Sequence, residues 1–142
     1  MDHIVYLDTK AKEFEKILEG TKNMIIRGAA GRKVPYGRVN QGDRLFFIRN
    51  NAEGLVKAKA IVKFVFNSEK MDKVVSENLV KENQEKLQLT EKQLKRWAGK
   101  KYIVLIEIES VENIEPFKFS LSNHSNMDDW LIIENIDTII EK

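Results

Sequence analysis

The sequence has no cysteine, which removes disulfides, thiolate nucleophiles and cysteine-based zinc sites together. Its two histidines, His3 and His124, are far apart in sequence, so no histidine-built metal centre is expected. No apolar run approaches the ~20 residues a membrane-spanning helix needs. The first residues, Met1-Asp2-His3, lead straight into a strand-like segment. They show no basic stretch followed by an apolar one, so no secretory leader is expected. With no cysteine to oxidise, a cytoplasmic location is the expectation. There is no Gly-x-Ser-x-Gly elbow and no His-Glu-x-x-His helix, which discounts serine-hydrolase and zincin chemistry. What is present is 142 residues and 16.5 kDa, enough for one self-sufficient core, read as a single domain over 1–142. With 42% hydrophobic and 32% charged residues, the composition is that of an ordinary globular chain.

The net charge of +2 conceals an asymmetry. Residues 1–66 carry 13 Lys/Arg against 7 Asp/Glu, a balance of +6, and residues 67–142 carry 11 against 15, a balance of −4. Between Lys22 and Arg49 stand seven cations (Lys22, Arg27, Arg32, Lys33, Arg38, Arg44, Arg49) and one acid, Asp43. Five of the seven are arginine, the side chain suited to planar, bidentate contacts with phosphate or base edges. The segment therefore points to an anionic partner, while solvated surface charge is the plainer alternative.

Periodicity organises the chain as follows. A strand is expected over 3–7, with His3 as an edge-strand residue. A helix follows over 10–19, capped by Thr9, with Ala11, Phe14, Ile17 and Leu18 on one face and Gly20 where helices stop. Strands are expected over 24–26, 44–49 and 55–66, the last two joined as a hairpin. In the 55–66 strand Val56, Ala58, Ala60, Val62 and Phe64 form one alternating face. The intervening 28–42 stretch reads as a Gly/Arg-rich loop. A helix over 68–87 is expected to break near Ser76. A better-marked helix opens at Thr90 with the capping box Thr90-Glu91-Lys92-Gln93 and a Leu89–Leu94 staple, and Gly99 ends it. The strongest strand is expected over 102–109, and 111–119 is read as an extension of the sheet in which Pro116 places a break or edge. A polar loop over 123–129 contains His124. A strand at 130–133 and a terminal segment at 135–140, strand or helix, complete the chain. Mixed rather than strictly alternating strands and helices make this α+β.

Gly28-Ala29-Ala30-Gly31-Arg32-Lys33 fails as a phosphate loop, because two residues instead of four separate the glycines and Val34 follows Lys33. A basic loop that packs backbone N–H groups on an anion stays open, as does a plain surface loop. Tyr36 lies within the loop between Lys33 and Arg38, and aromatics among cations suit nucleic acid. Trp97, on the Leu94 face of its helix, reads as core, whereas Trp130, at a loop–strand junction, reads as a pocket rim where a base stacks.

One stretch is more specific. Phe14-Glu15-Lys16-Ile17-Leu18-Glu19-Gly20-Thr21-Lys22, then Ile25-Ile26-Arg27, then Gln41-Gly42-Asp43-Arg44-Leu45-Phe46-Phe47, resembles the ASCH domain family. The order is a helix before Gly-x-Lys, a strand ending in Arg, and a Gly-Asp turn opening the next strand. The match is clear over 10–49 and weaker to about 109. The resemblance implies a PUA-like mixed β-barrel with flanking helices that binds RNA or a nucleotide in a basic cleft. Lys22 would anchor the ligand, Arg27, Arg32, Lys33, Arg38 and Arg49 would meet phosphates or base edges, and Tyr36 or Trp130 would stack. One bacterial type in the family resembles an amidohydrolase of N4-acetylcytidine with catalytic Lys, Thr and Glu. Lys22 matches the lysine and Glu85, in Glu85-Lys86-Leu87-Gln88-Leu89-Thr90-Glu91, matches the glutamate. The threonine position is Ile25, which has no hydroxyl to act as nucleophile. A small hydrolase of an acylated or modified nucleoside, using Lys22 and Glu85 for proton transfer, is the alternative reading. A module whose acidic C-terminal part meets a basic partner is a third. No cofactor, metal or membrane partner is expected, and the sequence leaves the oligomeric state open.

Overall fold

A computed structural model describes residues 1–51, 53–119 and 129–141; the expected loop position of His124 lies outside the described residues. The elements are β1 (Asp2–Leu7), α1 (Glu13–Glu19), β2 (Met24–Ala29), β3 (Arg44–Arg49), β4 (Val56–Asn67), α2 (Lys73–Glu82), α3 (Gln84–Leu87), α4 (Glu91–Trp97), β5 (Tyr102–Phe119), β6 (Trp130–Ile133) and β7 (Ile140–Glu141), with a 3-10 turn at Ile136–Thr138. Among the described residues no helix is long and apolar enough to cross a membrane.

Six strands form one curled sheet in the order β2-β5-β4-β3-β1-β6, and β7 pairs with the end of β5. All neighbouring pairs are antiparallel except β1 and β3. His3 is therefore not at an edge: β1 lies between β3 and β6, and His3 is fully buried. β1 and β3 are buried on both faces, as strands covered on both sides must be. Val5, Leu7, Leu45 and Phe47 join Phe14 and Ile17 of α1 in one core, while Ile4, Phe46 and Ile48 pack with Leu131, Ile133 and Ile136 in another. A third core lies between β2–β5 and the helices, where Ile26, Ile103 and Leu105 meet Val80, Leu87, Leu89 and Trp97.

The local departures have local causes. Helix α1 starts at Glu13 rather than at residue 10, because Thr9 accepts the Lys12 N–H and Asp8 Oδ1 accepts the Ala11 N–H in a turn. Gly20 ends the helix at φ 84°, a left-handed cap favouring glycine. Helix α2 runs through Ser76, whose hydroxyl donates to the Lys100 carbonyl at 2.6 Å and accepts the Gly99 N–H at 3.0 Å. Its unexpected N-cap is Asp72, which accepts the Val75 N–H. The capping box at Thr90 forms as expected. The expected strand at 102–109 and its extension at 111–119 are one 18-residue strand that passes through Ser110 at positive φ and through Pro116, with register shifts against β4 in place of a break.

One shift matters most. Val56, Ala58, Ala60 and Val62 alternate inward as expected, but the ladder slips between Val62 and Phe64. Beyond the bulge Val65 packs on the core, and Phe64 and Phe66 face outward at 56% and 39% exposure. A one-residue slip exchanges the two faces of a strand, so Phe64 does not belong to the buried row.

Candidate functional site

Strand β2 ends in Arg27-Gly28-Ala29, beside the start of β5 and the end of α4. A cleft of about 290 Å³ opens there, lined by Arg27, Lys33, Tyr36, Arg96, Trp97, Lys100 and Tyr102 among others. Among the described residues four cations face one acid on its walls, Asp129. Gly28 makes this geometry possible: a Cβ there would lie 3.2 Å from the Cβ and Cγ of Lys100 and from the Tyr102 carbonyl oxygen.

Arg27 is the best-fixed cation of the cleft. It is buried, and its Nη1 and Nη2 donate to the backbone carbonyls of Ile26 and Tyr6 at 2.7 and 2.8 Å. Its guanidinium carbon lies 5.5 Å from the Trp130 ring centre and 5.9 Å from that of Trp97, within cation–π range of both. Among the described residues its buried Nε makes no hydrogen bond. The facing charge is Asp129, whose Oδ2 lies 3.3 Å from that Nε and 3.8 Å from Arg96 Nη2. Asp129 is 42% exposed, so a stronger anion entering the cleft can take its place. Across the cleft Arg32 lies 5.8 and 5.7 Å from the rings of Tyr36 and Tyr102, which meet edge-to-face at 5.6 Å. The Tyr36 hydroxyl donates to the Ser68 carbonyl, which ties the basic loop to the sheet.

Trp130 is 2% exposed and is not a rim residue. Its Nε1–H donates to His3 Nδ1 at 3.1 Å, and His3 Nε2 lies 2.9 Å from Asp43 Oδ2. Because Nδ1 accepts, Nε2 must carry the proton and donate to Asp43, which fixes the tautomer and keeps the imidazole neutral. Burial holds His3 below its ordinary 6.5 despite the opposing Asp43 carboxylate. Burial raises the Asp43 carboxyl, but hydrogen bonds from His3 and the Asn40 N–H outweigh it and hold the group below the ordinary 3.8. Below pH 6.5 the unfolded chain takes up a proton at His3 that the folded chain refuses, so stability falls with acidification. Urea midpoints measured at about pH 7.5 and 5.5 should fall in the wild type and change less in His3→Gln. Equal wild-type midpoints would mean that His3 takes its proton in place.

Lys22 lies just before β2 and is almost wholly buried, at 1% exposure. Its Nζ donates to the Leu87 carbonyl at 2.5 Å and lies 3.4 Å from Glu13 Oε2. Burial pushes its ammonium down to about 8 against the opposing charge and hydrogen bond of Glu13, and Arg27 and Lys16 push the same way as burial. The acid beside Lys22 is thus Glu13, not Glu85, whose side chain is exposed on α3. Ile25 is fully buried in the core. Among the described residues no ion pair or hydrogen bond joins Lys22 to Glu85.

The remaining expected residues divide. Arg27, Lys33 and Tyr36 line the cleft and Arg32 stacks at its wall. Arg38 is exposed and does not line it. Arg49 lies at the end of β3, 4.9 Å over the Phe14 ring and 3.5 Å from Glu15 Oε1. Arg96, Trp97, Lys100, Tyr102 and Asp129 were not expected there. The usable signal was Arg96-Trp97 at a helix end facing Lys100 and Tyr102 at a strand start, a second cluster of cations and aromatics. Arg96 also lines a second, more open groove with Lys10, Lys92, Lys95 and Asn50. Among the described residues no cluster of His, Asp or Glu is placed to hold a metal.

No known family profile matches this sequence, and no curated protein does. Solved structures do. The ASCH protein of Zymomonas mobilis superposes with a TM-score of 0.67 over 96% of this chain and 90% of that chain, at 14% identity. A tyrosine-to-phenylalanine mutant of that protein gives 0.68 over 96% and 93% at 13% identity. A serine-to-alanine mutant gives 0.67 over 96% and 91% at 14%. A likeness at this identity is one of fold. The chain has the α+β fold of that ASCH protein, the fold the motif order implied.

Proposed function

Taking the ASCH fold as the frame, we propose that this protein binds RNA, with a nucleotide seated in the cleft beside Arg27. The observation that carries this reading is Arg27 itself: held by two carbonyls and two indoles, with a buried Nε that has no hydrogen bond among the described residues and faces only the half-exposed Asp129. A guanidinium fixed in this way is a preorganised receptor for a planar or tetrahedral anion. A phosphate would replace Asp129 between Arg27 and Arg96, and the base would lie near Tyr36, Trp97 or Tyr102, the aromatic and cationic mixture single strands use. Neighbouring phosphates would follow Arg96 into the groove of Lys10, Lys92 and Lys95. Hydrolysis is the weaker reading, since Lys22 is committed to Glu13 and the Leu87 carbonyl and position 25 has no hydroxyl.

The test is the salt dependence of binding to a short labelled RNA by fluorescence anisotropy. The double variant Arg32→Ala, Lys33→Ala should bind more weakly, and its salt slope should flatten by about 1.4, at roughly 0.7 per lost phosphate contact. An unchanged slope removes the basic loop from the interface, and no RNA binding by the wild type sinks the proposal.

A further inference from the structure

On the sheet face under the helices, apolar residues run in a row from strand to strand: Ile26 on β2 pairs with Leu105 on β5, which pairs with Phe66 on β4. Helices α2–α4 bury Ile26 and Leu105 but leave Phe66 on β4 partly uncovered. Phe66 and, two residues before it, Phe64 continue the face into water at 39% and 56% exposure. Phe66 also forms a groove with Val75 and Leu79 of α2, and Val75 is 51% exposed. Exposed large hydrophobics scattered singly need no explanation, but a contiguous set does.

We propose that this uncovered face is the contact between two copies of this chain, related by a two-fold axis. The charge around the patch selects that occupant. At the Phe64 end, Lys63 and Lys86 flank a single acid, Glu107, at 3.4 and 2.8 Å. At the groove end, Glu69, Asp72 and Glu82 accompany one cation, Lys70. One end carries two cations against one acid and the other three acids against one cation. A two-fold rotation through the patch lays the basic end of each copy on the acidic end of the other, as an isologous interface requires. The patch is small, so the dimer is weak, with Kd on the order of 1–100 μM.

Sedimentation velocity of the purified chain, without RNA, over a concentration range spanning that Kd tests this independently of the cleft. The expected result is a reversible shift from monomer to dimer mass. Phe64→Glu with Phe66→Glu should give monomer throughout while leaving the circular dichroism spectrum and melting temperature near the wild type, because both side chains are exposed. Glu69→Lys with Glu82→Lys should weaken the dimer at least tenfold. A wild type that stays monomeric at the highest concentration overturns the proposal. So does a dimer indifferent to the phenylalanine substitutions, which would place the contact on another face.

Discussion

Lys22→Met is expected to cost the fold about 3–5 kcal/mol, because it leaves the Glu13 carboxylate buried without its cation. Glu13 Oε1 keeps the Asp8 N–H at 2.7 Å, but Oε2 and the Leu87 carbonyl both lose the ammonium. Adding Glu13→Gln should return much of that loss, since removing both charges removes the desolvation of both. The ammonium also leaves a signature in pH. Its folded value of about 8 lies below the ordinary 10.5. Between those values the unfolded chain holds a proton that the folded chain has released, so stability rises with pH through this window. Urea midpoints should show the rise in the wild type and not in Lys22→Met. A single variant within about 1 kcal/mol of the wild type would mean that the pair contributes no more than a surface ion pair.

Trp130→Ala should lose about 3–5 kcal/mol, the range for deleting a large buried aromatic. Trp130→Phe separates the causes: a ring still faces Arg27, while His3 Nδ1 is left without a donor, at a cost of about 1–3 kcal/mol. In both variants RNA affinity should fall further than in a comparably destabilised variant remote from the cleft, because one wall of Arg27 is changed. Titrations well below the melting temperature, compared with an Ile4→Ala control in the core opposite, would show this. Equal affinities in Trp130→Phe and the control would make Trp130 a packing residue alone. Since Trp97 lines the cleft and Trp130 does not, ligand-dependent fluorescence is expected from Trp97.

Much of the fold was legible because local chemistry and tertiary structure agree. Gly20, the Thr90 box and the β3–β4 hairpin each carry a turn or cap signal that no packing overrides. The exceptions have physical origins. Strand β5 survives Pro116 and Ser110 because β4 pairs with it through shifted registers, which a one-strand pattern does not reveal. Phe64 continues an unbroken alternation in the sequence, and only the bulge reverses its face. Of the residues that line the cleft, clustered charge and motif order single out Arg27, Lys33 and Tyr36 in the sequence. Glu13 was missed as the partner of Lys22 because acids on helices are normally solvated; its position four residues before the buried Ile17 was the available sign. Trp130 was misplaced because a loop–strand junction resembles a rim, whereas β6 closes against β1 and takes the indole inside.

The strand order also bears on how the chain comes off the ribosome. Strand β2 pairs only with Tyr102–Glu107 of β5 among the described residues, and β1 meets its second neighbour only at Trp130–Ile133. Emerging N-terminus first, Met24-Ile25-Ile26 must wait as an unpaired apolar segment while about eighty further residues are made. The β3–β4 hairpin joins segments close in sequence and forms early, whereas β4–β5, β2–β5 and β1–β6 close over long intervening stretches and are slow. Nascent chains halted before residue 102 are therefore the species that needs chaperone shelter, and release of that need should coincide with the appearance of β5.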